Sequence, residues 1–298
     1  MQNEYLMGKQ IKYWHPNDAM QLTFVITKEC NLRCKYCYMI GKNSNEKMTF
    51  QVAKDAIDFF IGQQGNLLKR DFVILDFIGG EPLLEIDLID EIVDYFKYIT
   101  FKNDNRWFGR YRISISTNGI LYSSQKVQHF IAKNKNNLSI GISIDGTKEK
   151  HDLQRVYMDG KGSYDDVIKN VKLWLKQYPD ASTKVTISHD DLVFVKDSII
   201  HLWNLGIKNV PANTIFEDVW EEGDPYIFEE QLKQLADYII DNKLWDKVNT
   251  TLFSENLGFK QVEDEINKNF CGAGKTFAID SKGNIYPCVR YMKYSLEN

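Results

Sequence analysis

No run of apolar residues in this sequence approaches the roughly 20 needed to span a bilayer, and its most apolar stretches, such as 72–78 and 113–115, have only strand length. A membrane-spanning helix is not expected. No secretory or transit segment opens the chain either, because residues 1–21 are polar and interrupted by Pro16. A basic stripe is also lacking: 37 Lys and Arg stand against 41 Asp and Glu, spread along the chain for a formal charge of -4. Nucleic acid, whose phosphates need clustered cations, is therefore not an expected partner. Cysteine is scarce and odd in number at five, with three crowded into residues 30–37, which disfavours a disulfide framework and favours metal. Repeats and low-complexity tracts are absent. These absences together point to a cytoplasmic chain in a reducing compartment.

What is present fits a large α/β unit. The 298 residues, 43% of them apolar, suffice for one large core with an appendage or for two ordinary domains. Strand-like segments at 22–26, 72–78, 111–116, 138–144, 184–188 and 208–212 alternate with segments of helical period at about 49–61, 84–98, 124–133, 163–175 and 197–204. Thr49 is the expected cap of the first helix, and Ser163 with Asp166 the expected capping box of the fourth. Strands joined through right-handed crossover helices imply a parallel sheet curled into a partial (β/α)6 barrel, with chemistry at the strands' carboxyl ends. Residues 229–241 suggest one more helix. The stretch 270–291 breaks the pattern with Gly272, Gly274, Gly283 and Pro287 around two short β runs and is expected to be a separate small module. The expected division is an extension at 1–20, the barrel at 21–228, a helical connection at 229–269 and the module at 270–298.

Cys30, Cys34 and Cys37 follow the first strand at C-x3-C-x2-C spacing. Iron-sulfur cubanes usually take four thiolates, so three leave one iron open to a small ligand. The competing reading is structural zinc, which prefers four ligands, and no further His or Cys lies near the loop. The spacing, with the aromatic Tyr36 just before the third cysteine, resembles the identifying motif of the radical S-adenosylmethionine (SAM) superfamily. That resemblance implies a TIM-like barrel and a 4Fe-4S cluster with an open iron site, held by Cys30, Cys34 and Cys37. It further implies one-electron cleavage of SAM to a 5'-deoxyadenosyl radical that abstracts a substrate hydrogen. A low-potential electron donor such as flavodoxin or ferredoxin follows from that chemistry.

Gly79, Gly80, Glu81 and Pro82 follow the second strand, where glycine permits close backbone approach and a carboxylate can accept from an ammonium. An ordinary glycine turn is the competing reading. The run resembles the family's GGEP-type motif, which implies binding of the SAM amine. Residues 116–119 and 143–146 place polar groups at the ends of the third and fourth strands. By the same resemblance, Ser116, Asn118 and Ser143 would contact the SAM ribose or carboxylate, and Arg155 would pair with that carboxylate bidentately; a surface ion pair is the alternative for Arg155. Asp145 is open between a structural and a substrate-facing role.

Cys271 and Cys288 flank an expected hairpin turning at 281–283 and can share a metal, or can be unrelated cysteines of a β module. The stretch is similar to the opening of the SPASM/twitch extension, which implies that they ligate an auxiliary iron-sulfur cluster. A full extension carries further cysteines; none follows Cys288 here, so a fragment, a shortened chain, unusual ligation and an absent auxiliary cluster all stay open. Fewer than thirty residues precede the cysteine loop, and an amino-terminal leader-binding domain is not expected. Residues 77–85, 151–170, 185–188 and 271–287 resemble the maturases of ribosomally made (RiPP) precursors with Cys-x-x-x repeats, of sactipeptide and ranthipeptide type. This implies a cysteine-containing precursor peptide as substrate and thioether formation as reaction. The alternatives are oxidation of a protein side chain, as in anaerobic sulfatase maturases, or a non-catalytic zinc or electron-transfer protein.

Overall fold

The computed structural model describes residues 19–39, 44–63, 70–217, 219–253 and 274–292. Strand β1 (Ala19–Thr27) is buried on both faces along almost its whole length, as a central parallel strand must be. It is flanked by β2 (Phe72–Gly79), and then β3 (Tyr111–Thr117) and β4 (Leu138–Ile142) follow in parallel. The crossovers are helices α1 (Phe50–Gly62), α2 (Ile86–Lys102) and α3 (Gln125–Asn134). Their apolar faces, including Phe60, Phe96 and Phe130, pack on the outward residues of the sheet in one continuous core. Thr49 caps α1 as expected, its hydroxyl accepting from the Val52 N–H.

Beyond β4 the sheet loosens. A short helix that the sequence pattern did not reveal, α4 (Lys148–Gln154), precedes α5 (Tyr164–Gln177), β5 (Val185–Ile187) and α6 (Val195–Asn204). β4 and β5 share no ladder; instead the Thr183 hydroxyl donates to the Ile142 carbonyl at 2.7 Å and accepts from the Ile144 N–H at 2.9 Å. The expected sixth strand is split by Pro211, which has no N–H to give, into β6 (Asn209–Val210) and β7 (Ala212–Thr214). β7 pairs in parallel with β5, and β6 with β8 (Asn249–Thr250), the two pairs following α6 and the longer α7 (Asp224–Asp241). The architecture is the expected partial parallel barrel, and α7 begins five residues earlier than the pattern suggested, at Gly223 and Pro225.

Two expectations need correction. Ser163 starts α5 but makes no side-chain cap; the Asp152 carboxylate accepts from the Tyr164 N–H at 2.8 Å, while the Ser163 hydroxyl donates to the Arg155 carbonyl. The capping box forms instead at Ser188 and Asp191, after β5. The carboxyl-terminal hairpin, β9 (Thr276–Ile279) and β10 (Ile285–Tyr286), does not stand apart from the barrel. β9 lies parallel to β1 and completes its second edge, because Ala278 and Ile279 are apolar and the Gln21 and Phe24 edge of β1 would otherwise lack partners. Residues 1–18 and 254–273, including Cys271, lie outside the described residues.

Candidate active site

Closed barrels fill their interior with bulky branched side chains. Here the inward positions alternate with buried apolar ones but are small and polar: Ser114 and Ser116 on β3, Ser139 and Gly141 on β4, and Thr186 on β5. The result is an open cavity of about 590 Å3 at the carboxyl ends of the strands.

One wall is the loop after β1, where Cys30, Cys34 and Cys37 all reach the cavity, Cys30 being buried and the other two half-buried. No disulfide joins any of the described cysteines. The loop is tied down through its own backbone: the Arg33 and Lys35 N–H groups donate to the Val156 and Gln154 carbonyls at 2.6 and 2.9 Å. That docking segment is the end of α4, and α4 is itself bolted to β5. Lys150, fully buried, pairs with Asp191 at 2.8 Å and donates to the Thr186 carbonyl, while Gln154 donates to the Ser188 hydroxyl. The cysteine loop therefore takes its position from β5 as well as from β1.

Gly79 and Gly80 lie where β2 meets the start of this loop. A Cβ on Gly79 would stand 2.3 Å from the Thr27 carbonyl, and one on Gly80 2.0 Å from the Glu29 carbonyl, so main chain packs directly on main chain. Gly80 and Glu81 N–H groups donate to those same two carbonyls. The Glu81 carboxylate is buried and engaged internally, accepting from the Leu83 N–H (3.0 Å), the Thr117 hydroxyl (2.6 Å) and the Asn118 N–H (2.8 Å). Burial raises its pKa against those hydrogen bonds. It clasps the ends of β2 and β3 together and also lines the cavity. Pro82 is buried at the first position of the turn that leads into α2.

Asn118 has a similar duty. Its side chain donates to Asn31 Oδ1 at 2.6 Å and accepts from the Ile120 N–H, linking the cysteine loop to β3. Ser116 and Ser143 line the cavity. Cys288 sits off the cavity, half-buried at the start of the last helical turn; Tyr38 lies within electrostatic reach of it and of Cys37, and burial followed by the field of Cys37 pushes the Tyr38 hydroxyl up to about 12.

Arg155 is not a surface residue. It caps the end of α4, reaches the cavity, and is 8% exposed. Its Nε donates to Asp145 Oδ2 at 2.8 Å, and its guanidinium lies 5.5 Å from the Tyr36 ring centroid. Asp145, fully buried, resolves as the hub of the site: the Tyr36 hydroxyl donates to Oδ2 at 2.5 Å and the Thr186 N–H to Oδ1 at 3.1 Å. Burial works to raise the Asp145 pKa, but the charges of Arg155, Lys150 and His151 and the Tyr36 hydrogen bond leave it below the usual carboxylate range. Burial likewise raises the Tyr36 pKa, keeping it a neutral donor. Composition could not reveal that Asp145 binds the cysteine loop, α4 and β5 at one point, since the three lie far apart in sequence.

Among the described residues, no three His, Cys, Asp or Glu side chains converge on one point as ligands of a single ion. A cubane asks for something else, one thiolate on each of three separate irons. Three cysteine sulfurs around one end of a polar cavity, backed by a glycine pair that keeps the neighbouring turn free of side chains, fit that group.

The sequence profile of the radical SAM superfamily matches residues 24–189, over half of the chain. The chain belongs to the radical SAM superfamily. Enzymes of this superfamily use a 4Fe-4S cluster and SAM. Among its relatives, an uncharacterized protein of Methanocaldococcus jannaschii is 31% identical over 275 residues, 91% of this chain and 85% of that protein. A cysteine-type anaerobic sulfatase-maturating enzyme of Clostridium novyi is 27% identical, with 89% of this radical SAM chain and 72% of the enzyme covered. The antilisterial bacteriocin subtilosin biosynthesis protein AlbA of Bacillus subtilis is 24% identical over 94% of this chain and 57% of its own length. In fold, the chain is similar to native anSMEcpe with bound AdoMet, at a TM-score of 0.71 and 22% identity over 91% of this chain and 75% of that one. No helix among the described residues is long and apolar enough to cross a membrane.

Sequence reasoning missed Lys184, Glu217, Phe216 and Arg290 on the cavity wall. For Lys184 a signal existed: residues 184–187 alternate polar and apolar, which puts Lys184 on the same face as Thr186.

Proposed function

We propose that this radical SAM enzyme modifies a ribosomally made precursor peptide by closing thioether links from cysteine sulfur to carbon. When bound, the cluster and SAM supply a 5'-deoxyadenosyl radical able to remove a hydrogen from carbon. Cys30, Cys34 and Cys37 each hold one iron in this reading. The Gly79–Gly80 turn and the Glu81 carboxylate would hold the SAM amine. Arg155, held through Nε by Asp145, offers its two terminal nitrogens as a fork to the SAM carboxylate, and Ser116 and Ser143 bind nearby hydroxyls. Asn118 fixes the cysteine loop. Cys288, with Cys271, serves an auxiliary iron-sulfur cluster, and a flavodoxin- or ferredoxin-like protein delivers the electron.

The observation that carries this reading is the open cavity of about 590 Å3 with the three cysteines on one wall and the exposed Phe216 beside Arg290 on its lining. The roles of the relatives, sulfatase maturation and bacteriocin biosynthesis, support a protein or peptide substrate. A zinc or electron-transfer role does not account for a cavity of this size beside the cysteines. Anaerobic reconstitution with a Cys-rich precursor tests the proposal: each thioether removes two hydrogens and blocks alkylation of one thiol. Oxidation of a side chain, the reading favoured by the sulfatase-maturating relative, would leave the remaining thiols alkylatable. An unaltered precursor with 5'-deoxyadenosine released would refute the thioether reading while keeping the radical chemistry.

A further inference from the structure

Nearly every charged side chain on the cavity wall is already engaged. Arg155 pairs with Asp145 at 2.8 Å, Arg290 with Glu217 at 3.2 Å, and Glu81 is satisfied by three internal donors. Lys184 differs: it lines the cavity from the strand edge leading into β5, and no described residue forms an ion pair or hydrogen bond with its ammonium. Partial burial in the cavity, then repulsion from Arg290 and Arg155, holds its pKa below the ordinary lysine value, with Asp145 the one opposing charge. Three cations thus lie along one side of the cavity with carboxylates for two.

We propose that Lys184 binds the carboxylate of an Asp or Glu side chain of the peptide substrate close to the residue that is modified. The inference rests on the proposed peptide modification and narrows it to acidic segments. Its position immediately before β5 places the side chain on the cavity wall, and a like-charged, partly desolvated setting strengthens attraction for an arriving anion. The SAM carboxylate has the Arg155 fork to receive it, which leaves Lys184 to another group. The neighbouring rim suits an extended chain, since the Arg290 guanidinium stands 5.4 and 5.3 Å from the ring centroids of Tyr38 and Phe216, and Phe216 is 86% exposed.

The test uses reconstituted, SAM-loaded enzyme under anaerobic conditions and two pools of synthetic cysteine-containing peptides that differ only in carrying Glu or Gln. Acetylation of Lys184 by an N-hydroxysuccinimide ester is followed by mass spectrometry. The Glu pool is expected to slow it at least fivefold more than the Gln pool, with other lysines unaffected. Lys184→Gln should weaken binding of the Glu pool about tenfold, as expected for losing one charge-assisted hydrogen bond, and Lys184→Arg should restore it, with SAM affinity unchanged in both. Equal protection by the two pools overturns the proposal. So does tenfold weaker SAM binding in Lys184→Gln, which would assign the ammonium to the cofactor. Protection by the Glu pool without any change in peptide mass keeps the carboxylate site and instead refutes peptide modification.

Discussion

Replacing Asp145 by Asn tests the organisation of the site most directly. The side chain is fully buried, and its two oxygens accept from Arg155 Nε, the Tyr36 hydroxyl and the Thr186 N–H. Asparagine keeps the shape and can still accept from Thr186 with its oxygen. Its amide then points N–H at two groups that are themselves donors. Removing one partner of a buried ion pair costs about 3–5 kcal/mol, and because Arg155 retains some access to the cavity the lower end applies, about 3 kcal/mol. For a chain of this size that corresponds to a fall in melting temperature of roughly 6 °C. The same change frees the guanidinium from its fixed pose, so SAM should bind about tenfold more weakly. Thermal melts of the cluster-free chain and equilibrium dialysis of SAM on the reconstituted enzyme measure the two effects separately. The Asp145 pKa is depressed in the folded chain, so its contribution is fully present above the unfolded value of about 3.9 and is lost only as pH falls below it. The difference between the wild type and Asp145→Asn should therefore be constant from pH 5 to 8. An unchanged melting point together with unchanged SAM affinity would refute the hub.

Other expectations are simpler. Cys34→Ala should abolish both cluster loading and SAM cleavage, whereas Cys288→Ala should spare cleavage and stop peptide modification; equal loss in both would dissolve that division. Gly80→Ala drives a Cβ to 2.0 Å from the Glu29 carbonyl and should destabilise the chain by about 1–3 kcal/mol while lowering iron content, with Gly62→Ala, where nothing lies within 4 Å, as a harmless control. His151 accepts from the Asp145 N–H through Nδ1 and meets the Ser163 hydroxyl through Nε2, and burial lowers its pKa to about 4. Between the unfolded value of about 6.5 and that folded value the unfolded chain holds the extra proton, so stability should fall by about 3 kcal/mol as pH drops through this window. His151→Gln should flatten that slope in urea titrations.

The parts of the site that follow from local chemistry were legible in the sequence. Cysteine spacing, the glycine pair after the second strand and the period-two runs each act within a few residues, and each appears where expected. What escaped notice depends on distant partners. Ser163 lost its capping role because Asp152, on the neighbouring short helix, reaches the same N–H, and that helix was itself too short to show a periodic stripe. Glu81 and Asn118 line the cavity and in addition tie neighbouring segments together, because β3 presents donors to one and the cysteine loop an acceptor to the other. The hairpin read as a separate piece because a strand of four residues says nothing about which sheet it joins.

The parallel docking of β9 against β1 means that the strand carrying the cysteine loop has neighbours on both sides. Losing the hairpin would uncover the unpaired peptide groups of β1 along Gln21–Phe24, a template onto which a second molecule could add its own strand. Forms lacking this hairpin should then precipitate or stick to one another before any question of chemistry arises, so the β9–β10 pair guards solubility.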